Sequence, residues 1–153
     1  MSSPLSATFS PARVSVVTLG VSDLTRSRAF YLDGLGFTAH ASSQDDITFI
    51  ECAGIVLSLY PRAKLSREAR VSEGGIGFPG FTLGRCLSER AAVDETLRRA
   101  ERAGAIIHKP AAETFWGGYS GYFADPDGYL WEVAYHSAWQ FDKCGRLLLR
   151  SPT

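Results

Sequence analysis

Along the chain, apolar and polar positions switch repeatedly between the two-residue alternation of strands and the 3.6-residue spacing of helices. Residues 13–21 are rich in Val and Thr and predict a half-buried strand. Asp23 follows as an N-cap, its carboxylate able to accept the free amide donors of a helix running to about Asp33. Gly34 and Gly36 supply positive φ where that helix stops. Residues 37–40, 46–52 and 55–60 predict three more strands, with Ala53-Gly54 as a tight hairpin turn between the last two. Residues 61–77 are polar and Gly-rich and read as a linker. A second set begins near Phe78. Ser88 is its predicted helix cap, Glu89 lies in the first turn, and Val93, Leu97, Ala100 and Gly104 share one face of the helix. Gly104 stops it, and strands follow over 105–108, 118–124 and 129–136. Between the last two, Asp125-Pro126-Asp127-Gly128 is a turn in which Pro fixes φ and Gly takes the left-handed conformation.

The two sets echo each other. Thr18-Leu19-Gly20 recurs as Thr82-Leu83-Gly84, 64 residues later, and each copy follows a β-rich run and leads toward a helix. The expected organisation is a loose arm over 1–12 and a single domain over 13–136. Within that domain, module one spans about 13–60, a linker 61–77 and module two 78–136. A C-terminal tail from Ser137 to Thr153 carries Trp139, Phe141, Leu147, Leu148 and Leu149, too much apolar surface for a free tail, so it is expected to pack on the domain or on a partner subunit.

Composition narrows the function. A chain of 153 residues with 45% hydrophobic residues is long enough for one well-buried domain. Its formal net charge is zero and it has no basic stripe, which argues against nucleic acid or an anionic membrane as partner. Three scattered cysteines, Cys52, Cys86 and Cys144, have neither disulfide-framework nor CxxC spacing and fit a reducing cytoplasm. Neither a signal peptide nor an apolar run of spanning length is visible.

The run 17–24, Val-Thr-Leu-Gly-Val-Ser-Asp-Leu, followed by Ser27, Phe30-Tyr31 and Leu35-Gly36-Phe37, resembles the opening strand and helix of the vicinal oxygen chelate superfamily. This superfamily comprises glyoxalase I, bleomycin-resistance proteins and extradiol dioxygenases. Residues 115–128, which include Trp116, Tyr119, Tyr122 and the Asp-Pro-Asp-Gly turn, resemble an uncharacterised glyoxalase-like subgroup. The resemblance covers residues 13–136. It implies an α+β fold in which two tandem βαβββ modules form a curved mixed sheet around a cup, commonly in a homodimer. It does not imply a reaction, because the fold hosts isomerases, dioxygenases and non-catalytic drug traps.

In metal-dependent relatives each module supplies one ligand from its first strand and one from its last. The resemblance implies that Glu132 fills the last position of module two. The other positions fall at Val16, near Leu57, and within Gly80, Phe81 and Thr82, none of which grips a cation strongly. No metal and no other cofactor is therefore expected. His136 shares a strand face with Glu132 but lies about 13 Å away along the strand at 3.3 Å per residue. His40 and His108 are read as solvated or hydrogen-bonded. Glu132 becomes a candidate general base or an anchor for a polar group of the ligand.

Phe115, Trp116, Tyr119 and Tyr122 suit the walls of a site for a flat hydrophobic molecule, and Gly117, Gly118 and Gly121 would let their loop move as a lid. Arg85 and Cys86 lie on the strand after the repeated Thr-Leu-Gly; either could reach the cup, and His136 completes the candidate lining. The leading function is a metal-independent small-molecule binder. The alternative is a superfamily enzyme, lyase, isomerase or dioxygenase, that uses a metal or Glu132 as base. A module that only mediates protein interactions makes poor use of the aromatic loop.

Overall fold

A computed structural model describes residues 14–75 and 77–149. The expected arm over 1–12 lies outside the described residues. Strand β1 (Val16–Val21) leads to α1 (Leu24–Arg28), which opens into a π-helical turn (Ala29–Gly34). Asp23 caps α1 as expected, accepting from the amide of Arg26 at 3.0 Å. The wider turn buries Phe30 and Tyr31 together, although consecutive residues of a regular helix diverge by about 100°. Gly36, not Gly34, takes positive φ here. Gly34 is needed for space instead, since a Cβ there would collide with that of Ala103 on the second module's helix.

β2 (Thr48–Cys52) and β3 (Ile55–Pro61) form a hairpin turning at Ala53-Gly54, both at positive φ. The strand expected over 37–40 is reduced to an isolated bridge between Ala39 and Ile50. The expected linker contains a helix, α2 (Arg62–Ala69), directly after β3. β4 (Leu83–Leu87) then leads to α3 (Arg90–Arg102). The N-cap of α3 is Glu89, one residue later than Ser88, and its side chain makes no capping bond. β5 (Ile106–Glu113) is longer than expected. It passes Pro110 by shifting register on both sides of Lys109, so the missing amide costs no ladder bond. β6 (Tyr119–Ala124) and β7 (Leu130–Tyr135) follow, and β8 (Gln140–Phe141) pairs with β9 (Leu147–Leu148) in a C-terminal hairpin.

Sheet 1 runs β1-β3-β2 and sheet 2 runs β4-β7-β6-β5; in each, the first strand lies parallel to the last of its module. The βαβββ plan is thus written twice. The Thr-Leu-Gly echo is not in structural register, however. α1 and α3 begin at Leu24 and Arg90, 66 residues apart, so the counterpart of Thr18 is Gly84.

The two sheets turn their helix-bearing faces toward each other. Phe30 reaches Phe123 on β6 at 6.2 Å between ring centroids, and Tyr31 and Phe37 reach Trp131 on β7 at 6.1 and 6.2 Å. One continuous core joins Leu19, Leu57 and Leu59 to Val93, Phe123 and Val133. Polar bonds fix this orientation. The Tyr31 hydroxyl donates to buried Asp125 at 2.5 Å and accepts from the Trp131 indole at 3.1 Å. Asp127 accepts from the Ser22 amide and hydroxyl, both at 2.9 Å, and from the Ser27 hydroxyl at 3.2 Å. The Asp-Pro-Asp-Gly turn is therefore the clamp between modules.

Burial pushes the Asp125 carboxyl above its usual range, and the bonds from Tyr31 and from the amides of Tyr129 and Asp127 pull it back only in part. With a folded-state value above the unfolded one, this group favours folding at low pH and loses that contribution as pH rises through the folded value. Tyr31→Phe removes a donor that matters most to the ionised carboxylate. It is expected to cost about 1.5–3 kcal/mol at neutral pH and less near about pH 4, as measured by urea unfolding. A cost independent of pH would contradict this coupling. Gly34→Ala should cost about 1–3 kcal/mol by forcing the helices apart.

Candidate functional site

β-strand pairing decides which side chains share the outward faces, those turned away from the helices. On sheet 2, Glu132 sits beside Gly84 of β4 and Tyr122 of β6; in the next row Ala134 sits beside Cys86 and Ser120. Glu132 is half-buried over this floor of small residues. Its charge has consequences for both neighbours. Burial first and the Glu132 carboxylate second raise the Tyr122 phenol, and the same two causes, in that order, raise the Cys86 thiol. Cys86 is thus held as a thiol, which leaves it a poor nucleophile.

One end of the outward face is closed by stacked rings. Trp116 lies 5.9 Å from His136 and 5.8 Å from Trp139 between centroids, at interplanar angles of 20° and 22°. Gly118 has no side chain because the Trp116 ring occupies that space. His136 accepts at Nδ1 from the Ala138 amide, 3.0 Å away, so its ring proton resides on Nε2. The loop expected to act as a lid is a closed hairpin turn: the Gly118 amide donates to Thr114 Oγ1 at 2.9 Å and the Gly117 amide to the Thr114 carbonyl at 3.2 Å. Gly121 belongs to β6, where a Cβ would meet Leu97 of α3 at 2.7 Å.

The structure thus brings Glu132, Tyr122, Trp116 and His136 to one face and leaves three other expected residues elsewhere. Tyr119 points to the opposite face and donates to Asp94 of α3 at 2.6 Å. Arg85 pairs with Val133, on the helix-bearing side, and covers the ring of Phe37 at 5.5 Å. Phe115 is fully exposed at the hairpin tip. Of Arg85 and Cys86, it is Cys86 that stands at the site, as period-two alternation from Gly84 requires. Trp139, expected only to pack with the tail, joins it through the ring stack.

The register shows which residues stand level with Glu132. Leu57 is buried in the core, and the module-one counterpart of Glu132 is Ser58, which pairs with Thr18 as Glu132 pairs with Gly84. Residues 80–82 precede β4 altogether. The row of Glu132 and Gly84 and its module-one counterpart, Ser58 and Thr18, together offer one carboxylate, two hydroxyls and a glycine. A divalent cation needs several strong donors at about 2.0–2.6 Å, and this set does not fit one. Among the described residues no three His, Cys, Asp or Glu side chains gather at metal-holding distance.

The chain's residues 13–133 match the model of the Glyoxalase/Bleomycin resistance protein/Dioxygenase superfamily. The protein belongs to that superfamily. Among solved structures it is similar to a glyoxalase-related enzyme from Fulvimarina pelagi, with 29% identity, a TM-score of 0.84, and 91% of this chain and 99% of that one covered. It is also similar to a glyoxalase/bleomycin resistance protein/dioxygenase family enzyme from Burkholderia phytofirmans PsJN, at 20% identity and TM-score 0.73, covering 81% and 98%. A third is the lactoylglutathione lyase of Agrobacterium tumefaciens, at 26% identity and TM-score 0.63, covering 87% and 100%. No curated protein matches the chain. No helix of the described residues is long and apolar enough to cross a membrane.

The Cys86–Glu132 contact gives a direct chemical readout. Near about pH 8, iodoacetamide should label exposed Cys144 first and Cys86 slowly. Glu132→Gln should speed Cys86 labelling several-fold while leaving Cys144 unchanged, as followed by peptide mass spectrometry. Equal labelling of Cys86 in both proteins would contradict the proximity of the two groups.

Proposed function

We propose that this protein binds a small apolar or aromatic molecule without a metal, in a cup completed by a second copy of the chain. The observation that carries the reading is the outward face of sheet 2. Half-buried Glu132 stands there over Gly84, Ala134 and Ser120, walled at one end by Trp116, His136 and Trp139. That surface offers burial, ring stacking and one oriented carboxylate, which suffices to hold a flat ligand with a hydrogen-bond donor.

The back-to-back modules support a dimer. The outward faces of the two sheets point in opposite directions, so neither can close over the other within one chain. β1 and β4 are each an edge strand of their sheet, and Val16 is exposed beside Thr18. Free edges invite pairing with another chain. The outward face of sheet 1 would then cover the Glu132 face of a partner. α2 packs on this side of sheet 1 over Gly20 and would border the joined surface.

A second reading, proton transfer by Glu132 acting as general base, is favoured by the same half-buried carboxylate next to Tyr122, and the likeness to a lactoylglutathione lyase keeps it open. The readings separate by experiment. Light scattering should give a mass of two chains. Neutral naphthalene-sized phenols should raise the melting temperature equally with and without divalent ions. Trp116→Ala and Glu132→Gln should each weaken that binding about tenfold or more. Stabilisation that appears only with a divalent ion would overturn the metal-free reading. Binding retained in Glu132→Gln with turnover abolished would favour the base.

A further inference from the structure

Along edge strand β4 a cavity of about 880 Å³ opens between the two sheets, lined by Leu83, Arg85 and Leu87 from the strand's inward side and bordered by Gly84 and Cys86. Its size is ordinary for a small-molecule site. Val17, Ile50, Leu57, Leu83, Leu87 and Trp131 form apolar walls, and the β8–β9 hairpin lies across one side through Phe141 and Leu147. Arg146 pins that hairpin, its Nε donating to the Ala53 carbonyl at 3.3 Å. Arg85 enters the same cavity.

Arg85 is half-buried, and among the described residues nothing accepts a hydrogen bond from its guanidinium and no carboxylate pairs with it. Arg26, Arg28 and Arg99, by contrast, each donate to a side chain or carbonyl. Its guanidinium lies over the ring of Phe37, and burial first and the nearby Arg99 cation second pull its pKa down against a smaller opposite effect of Cys52. Neither acid that lines the cavity is paired with Arg85. Glu51 faces His40 at 3.9 Å, and Asp142 accepts from the amides of Cys144 and Arg146, both at 2.9 Å. Lys143 adds further positive charge along the hairpin, whereas Arg146 is paired with Asp142 at 3.8 Å. A guanidinium withdrawn from water without a counter-charge is costly, and an anion supplied from outside relieves that cost.

We infer that this cavity is a second binding site, centred on Arg85 rather than on Glu132, for an amphipathic carboxylate whose anionic head pairs with Arg85 and whose apolar body lies along Leu57, Leu83 and Trp131. A planar guanidinium receives a carboxylate by two parallel bonds, which selects this head group over an alcohol of equal length.

Isothermal titration with decanoate and with decanol as probes tests the inference on the full chain. Decanoate should bind at least tenfold more tightly than decanol. Arg85→Met should erase that preference, Arg85→Gln should reduce it similarly, and Glu132→Gln should leave it intact. Leu147→Trp, which narrows the cavity from the hairpin without touching Arg85, should weaken both probes. Equal binding of the two probes, no decanoate binding at millimolar concentration, or a preference that survives in both Arg85 variants would overturn the site. So would decanoate binding unchanged in Leu147→Trp, or lost in Glu132→Gln alone, which would assign it to the outward face.

Discussion

A buried carboxylate sets the orientation on which every other feature of this protein depends. Asp125 is removed from water and satisfied by the Tyr31 hydroxyl and by amides of its own turn. Two residues on, Asp127 reaches back to Ser22 and Ser27 at the start of α1. A single four-residue turn thus grips both ends of the first module's helical segment. Unpaired, either carboxylate would penalise the fold; paired, they admit one arrangement of the halves. In that arrangement α1 and α3 lie between the sheets, α2 lies on the other side of sheet 1 over Gly20, and the face carrying Glu132 points outward.

Much of this was legible from periodicity. The alternation in β6 and β7, the helical stripe of Val93, Leu97 and Ala100, the Asp23 cap and the Asp125–Gly128 turn all follow local rules that tertiary contacts reinforce. What could not be read was set by contacts distant in sequence. α2 hides in a polar stretch with no buried residue, and its place depends on packing over Gly20. Residues 37–40 share the composition of a strand yet make only one bridge, because the chain turns away after Ala39. Gly34 has the position of a helix stop, but its small size serves a contact with Ala103, 69 positions later in the chain.

The site shows how narrow the margin for face assignment is. Leu57 and Ser58 are adjacent, but one is core and the other stands where Glu132 stands in the second module; a shift of one residue exchanges the faces. The same parity separates Tyr119 from Tyr122 and Arg85 from Glu132, so residues expected to share one cup fall on two sides of one sheet. Spacing within a strand was readable, whereas the pairing between strands, which aligns Glu132 with Gly84 and Ser58 with Thr18, was not. Neither that row nor the positions expected from the family resemblance offers a second carboxylate. The pairing also gives the two faces of sheet 2 opposite chemical character: an anionic outward face beside stacked rings, and a cationic inward cavity with apolar walls.

Disulfide trapping tests the back-to-back arrangement most directly. In a chain whose native cysteines are replaced by serine, cysteines introduced at Thr18 and Ala134 lie on outward faces that point apart. Oxidation should therefore yield a disulfide-linked pair of chains on a non-reducing gel. A disulfide closed within a single chain would mean that the two faces meet in one molecule, contradicting the orientation ascribed to the Asp125 clamp.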